Sequence, residues 1–147
     1  MSRAIMRPKS IRLFERLFLS SQLASIVAIF SHYNIIRSAA VINGKSPTGP
    51  IAGIILTIII ALPLWFFIVR KGSGFARWVA IAFFALGSLG VPAGIPKALS
   101  IGPIYLALFL LAFGLSAGSI IMLFRPDAVR WIKSGGKSQQ VDPEVFS

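Results

Sequence analysis

Side chains that could move protons, hold a metal or attack a substrate are few in this chain, and their spacing excludes most chemistry. There are four carboxylates (Glu15, Asp127, Asp142 and Glu144), one histidine (His32) and no cysteine. A solitary imidazole with no carboxylate or second histidine beside it completes neither a nucleophile–base–acid triad nor a protein-only metal site. The missing thiols exclude thiolate catalysis, disulfides and cysteine-ligated metal centres. All four acids lie outside the long uncharged stretches of the sequence. Proton relays and cation paths through a membrane need an ionisable group inside such a stretch. These residues point to a chain that is not an enzyme and uses no cofactor or metal. His32 is the one ionisable side chain within an uncharged stretch. It reads as a structural group near a helix C-terminus, where a protonated imidazole is favoured, or as a pH-sensitive or ligand-contacting one.

The elements that must position these residues are apolar. Four uncharged stretches, Leu17–Ile36, Ser46–Val69, Trp78–Pro96 and Ala98–Phe124, are separated by clusters of Arg and Lys. At ~1.5 Å rise, ~20 helical residues cross the ~30 Å hydrocarbon core of a bilayer. The expected fold class is all-α: a polytopic membrane protein with a bundle of four transmembrane helices, at about 17–36, 50–69, 74–91 and 103–124, within residues 1–133. The hydrophobic share of 56% exceeds that of an ordinary soluble domain, and the remaining segments are too short for a second core. The basic leader and first apolar run are read as a retained helix and not as a cleaved signal.

Local signals set the boundaries. Ser10 is a candidate N-cap for the first helix. Gly49-Pro50 and Gly102-Pro103 each place Pro at a helix start. Pro92 and Pro96 are expected to stop the third helix by Val91, and Pro63 to kink the second by deleting a backbone hydrogen bond. After the fourth span, Pro126 and Asp127 suit a first turn, and Val129 and Ile132 share a face. A short interfacial C-terminal helix anchored by Trp131 is expected there, followed by a disordered cytoplasmic tail over 134–147.

Charge sets the orientation. Twelve basic residues flank one set of span ends, from Arg3–Arg16, Arg70–Arg77 and Arg125–Lys137, against Arg37, Lys45 and Lys97 on the other. The positive-inside rule then places both termini in the cytoplasm. Trp65, Trp78 and Trp131 fall near the basic interface as aromatic anchors. The net charge of +11 is spent flanking apolar spans, so membrane lipids with anionic headgroups are the expected partners and nucleic acid is not.

The leader ending Leu13-Phe14-Glu15-Arg16-Leu17, paired with the closing Phe124-Arg125-Pro126-Asp127-Ala128-Val129-Arg130-Trp131, resembles small uncharacterised four-span inner-membrane proteins of bacteria. The likeness covers most of the chain in layout. It implies a bacterial inner-membrane location and no activity, so it carries over no functional residue.

Helix faces suggest what packs. Ser21, Ala24, Ser25, Ala28 and His32 share one side of the first span, where small side chains allow close approach of another helix. Gln22 borders that side, and its amide is expected to find a partner. In the fourth span, Gly114 and Gly118 form a small-xxx-small pair, while Ala112, Ser116 and Ser119 make an opposite stripe. Contact within the monomer or a homo-oligomer seam would use them. The expected function is a non-enzymatic accessory or scaffold subunit that packs against another membrane protein. The alternative is a small oligomeric transporter or pore for neutral or hydrophobic solutes, using Pro63, Gln22 and the polar run Ser31–Asn34.

Overall fold

Hydrocarbon offers no partner for backbone N–H and C=O groups, so an apolar chain of this length satisfies them within helices. The computed structural model describes residues 7–137 and is all-α among them. Its helices are α1 (Lys9–Ser31), α2 (Tyr33–Ile42), α3 (Gly49–Lys71), α4 (Gly74–Leu89), α5 (Val91–Ile101), α6 (Pro103–Leu123) and α7 (Pro126–Lys133). The leader before residue 7 and most of the expected tail, 138–147, lie outside the described residues.

α1, α3 and α6 are each long and apolar enough to cross a bilayer. α4 and α5 meet that criterion only together, as a pair bent by 61°. α4 alone has 16 residues, ~24 Å at the helical rise, short of the ~30 Å core. Among the described residues there are therefore three candidate spans, or four if the bent pair is one. The break falls at Gly90, two residues before Pro92. Pro92 has no N–H to donate and its ring crowds the carbonyl of Ser88, so the α4 ladder ends there. A new helix then starts with Pro92 in its first turn and accommodates Pro96. The segment after Val91, expected to leave helical geometry, is thus helical again.

The first expected span is also divided. α1 ends at Ser31 and α2 begins at Tyr33, with His32 between them outside helical geometry. α3, in contrast, runs unbroken through Pro63, which faces outward and exposed.

The core lies at the basic end of the bundle. Ile11 and Phe14 of α1, Ile68 and Val69 of α3, Leu123 of α6 and Ala128 and Trp131 of α7 form one buried cluster, joined by Ala76 and Ala80 of α4. α7 supplies Ala128, Trp131 and Ile132, spaced to share one face, and they turn toward the bundle. Trp131 is 4% exposed, so its ring fills the core and is not laid among headgroups. Trp65 packs against the same cluster, and Trp78 stands 63% exposed.

Two polar devices hold this end shut. Ser10 is not the N-cap: α1 starts at Lys9 after Pro8, which makes no side-chain cap. Ser10 lies in the first turn, and both its backbone N–H (3.1 Å) and its hydroxyl (2.6 Å) donate to the Asp127 carboxylate. A first-turn N–H has no intrahelical acceptor, so a residue 117 positions away caps this helix. The second device is a backbone crossing. Gly72, at φ 55° after α3, lies so close to Gly136 that a Cβ on Gly72 would meet the Gly136 nitrogen. Gly136 donates its N–H to the Trp131 carbonyl at 3.0 Å. Ser134–Lys137, placed by the sequence in the tail, therefore close over the α3–α4 turn.

Burial disfavours the charged form of Asp127, but its hydrogen bonds from Ser10 and from nearby backbone N–H groups outweigh that and lower its pKa below the ordinary 3.8. A carboxyl whose folded pKa is depressed stabilises the fold fully above its unfolded pKa, and that contribution is lost as pH falls through the folded value. In detergent, thermal stability is expected to drop below about pH 4, and Asp127→Asn to be ~1 kcal/mol less stable at neutral pH with a flatter acid limb. An acid limb equally steep in both proteins would place the titration elsewhere.

Candidate functional site

α1 packs antiparallel on α6, bringing the basic end of α1 beside the end of α6 and His32 beside Tyr105, with rings 5.4 Å apart edge to face. Along this seam Ser21 (1% exposed), Ala28 and, from α6, Ala112 and Ser119 are buried. Their hydroxyls do not bridge the helices. Ser21 donates to the Phe18 carbonyl, Ser25 to that of Ser21 and Ser119 to that of Ser116, each within its own helix. The seam thus depends on small volume and close approach, with the polar groups satisfied locally.

The glycine pair of α6 is divided. A Cβ on Gly118 would touch Leu17 of α1 at 3.4 Å, while one on Gly114 would meet nothing within 4 Å. The seam uses the stripe of Ala112, Ser116 and Ser119, leaving Gly114 on the outer surface.

Away from the core the helices spread. A cavity of about 500 Å³ opens between α1 and α3, with Gln22, Ser25 and Ile29 on one wall and Gly49, Gly53, Ile54 and Thr57 on the other. Lys45 and Ser46 stand at its rim. A second cavity, about 550 Å³, lies among α1, α4, α5 and α6 and shares Ser25, Ile29 and Tyr105 with the first. A third, about 390 Å³, sits among α1, α3, α4 and α6 and shares Gln22 and Thr57 with the first. Its lining reaches Phe18, Leu64 and Ile120, beside the closed cluster. All three walls are mostly apolar.

Few polar groups interrupt them. Thr57 donates to the Gly53 carbonyl at 2.8 Å. His32 Nδ1 lies 3.2 Å from the Ala28 carbonyl. Gln22 borders two cavities, and no hydrogen bond to its amide occurs among the described residues. Pro63 lines none of these three cavities.

The structure thus gathers Gln22, Ser25 and, at the far end, His32 with Tyr105. It leaves Pro63, Gly114 and Trp78 outside the gathering. Gly49, Gly53 and Thr57 escaped the sequence reading, although their spacing of four is the same signal that marked Gly114 and Gly118. A Cβ on Gly49 or Gly53 would meet nothing within 4 Å, so this small-residue stripe faces open space. Among the described residues no three of His, Cys, Asp and Glu cluster closely enough to hold a metal ion.

No family model matches the chain, and no curated protein or solved structure is similar to it.

The two faces respond oppositely to added volume. Ala28→Leu in the closed seam is expected to cost ~1–3 kcal/mol through overpacking. Gly53→Ala, in open space on a helix, is expected to be neutral or to stabilise by up to ~1 kcal/mol. Thermal melting in detergent distinguishes them, and equal destabilisation would mean that the groove is filled within the monomer.

Proposed function

We propose that the chain is a four-span inner-membrane protein of bacterial type, with both termini cytoplasmic, that acts without catalysis as an accessory subunit for another membrane protein. The observation carrying this reading is the open groove between α1 and α3, where Gly49, Gly53 and Thr57 present a small-residue stripe that, among the described residues, no helix fills. Lipid tails give helices no hydrophobic reason to associate, so close approach over small side chains is what a partner span would gain here. The closed basic end provides a rigid base from which α1 and α3 diverge. The four-span count takes α4 and α5 as one bent crossing, which returns the chain to the side where it began. The basic residues at that end favour the cytoplasmic side.

A second reading draws on the three adjoining apolar cavities around Gln22, Ser25 and Thr57, which suit a neutral or hydrophobic solute. The buried cluster at the basic end makes a through-pore in a single copy the weaker form of that reading.

The absence of native Cys allows a direct test. Photo-crosslinkers at Gly53 and Thr57 in intact membranes are expected to capture one partner polypeptide in stoichiometric yield, and one at Leu86, an exposed position on α4, is not. Capture of lipid alone from all three positions would remove the accessory reading. Lys45→Cys should label from outside and Lys137→Cys only after permeabilisation. The reverse pattern would invert the orientation.

A further inference from the structure

We propose that Arg77, at the basic end, is the phosphate-binding residue of a site for one anionic phospholipid. Arg77 lies in the first turn of α4, where the helix dipole disfavours a cation, and that turn contains no acidic residue. Its guanidinium carbon sits 5.1 Å from the Phe124 ring centre and 5.8 Å from that of Trp78. Contacts of this kind hold an arginine in place and leave its donor edge free. Its Nε is buried and has no acceptor among the described residues, so the two terminal nitrogens are the donors left to meet a headgroup.

The two acids among the described residues are committed elsewhere. Glu15 pairs with Arg7 at 3.3 Å, the one ion pair among the described residues, and Asp127 takes its hydrogen bonds from Ser10. The N–H groups of Gly74 and Phe75 also open the helix at this turn, since Ser73 accepts from Ala76 and Arg77. A positioned fork of donors, a positive helix end and, among the described residues, no carboxylate paired with it together call for an anion.

The surroundings specify its source. Trp78 is 63% exposed and Phe124 52%, so the guanidinium is flanked by aromatic surface of the kind that lies at a membrane interface, and Phe75, two residues before it, is 81% exposed. A phospholipid places its phosphate at that level and its tails along those rings. Arg70 and Lys71 end the helix before this turn and Arg125 follows Phe124, so the local excess of cations disfavours the ammonium of a zwitterionic headgroup and an anionic lipid fits better.

Native mass spectrometry of the full chain extracted from vesicles of mixed phosphatidylglycerol and phosphatidylcholine reads the site. Wild type is expected to retain one phosphatidylglycerol selectively. Arg77→Gln should weaken that retention about fivefold, as expected for one cation at the surface, while Arg12→Gln, an exposed cation on α1 away from the site, keeps it. Equal loss in both variants would reduce the effect to diffuse charge and overturn the site. Retention unchanged in Arg77→Gln would overturn it as well. If Arg77→Gln fails to extract as a folded protein, Arg77→Lys decides: a clear loss of selectivity supports the fork-shaped site, and full selectivity contradicts it. Displacement of the lipid by millimolar inorganic phosphate would assign the site to free phosphate and overturn the lipid source. Neutralising Asp142 and Glu144 together should change nothing. A rise in retained lipid would mean that the chain's own tail occupies Arg77.

Discussion

A carboxylate at one end of the chain capping a helix at the other is the constraint on which the arrangement of this bundle depends. Asp127 receives the N–H and hydroxyl of Ser10, fixing α7 against the start of α1. With that contact made, Ala128, Trp131 and Ile132 face Ile11, Phe14 and Leu123, and the densest packing collects at the basic end. The crossing of Gly136 over Gly72 brings the α3–α4 turn into the same closure, since a Cβ on Gly72 would meet the Gly136 backbone and Gly136 itself adopts a positive φ of 77° that favours glycine. α1, α3, α4 and α6 are thereby tied at one end.

The other half follows from what that closure leaves undone. Inside hydrocarbon there is no hydrophobic gain from burying one apolar helix against another, so only small residues and local shape hold helices together. α1 and α6 have them on both sides of their seam and stay in contact along their length. α3 has Gly49, Gly53 and Thr57 but faces a cavity instead of a helix. The chain thus combines a closed base with a divergent, weakly filled half, and the proposed accessory role rests on that second half. The same base carries the cations, with Arg77 held between Trp78 and Phe124.

Much of the helical layout could be read from residue order because length and hydropathy act locally. The uncharged runs, the Pro residues opening α3 and α6 and the inward face of α1 all follow from short-range rules. What escaped depended on contacts distant in sequence. Ser10 looked like an N-cap because Ser favours that position, but its partner is Asp127, far along the chain. Trp131 looked like an interfacial anchor because indoles favour headgroups, whereas α7 lies close enough to α1 for the ring to enter the core. Pro92 signalled an end to α4 without revealing that a second helix would follow at an angle. In the candidate site, Gln22 and Ser25 were visible on their helix face. The groove was not, because it is set by how far α3 diverges from α1, which no local pattern encodes.

Amide hydrogen exchange at Ser10, measured in lipid particles, tests the closure most directly. Amides in the first turn of a helix lack an intrahelical acceptor and ordinarily exchange fast. Here the Ser10 N–H is predicted to exchange slowly in the native chain and to speed up markedly when Asp127 is replaced by Ala, while the middle of α1 stays protected. Fast exchange at Ser10 in the unaltered protein would contradict the clasp and, with it, a bundle closed at its basic end.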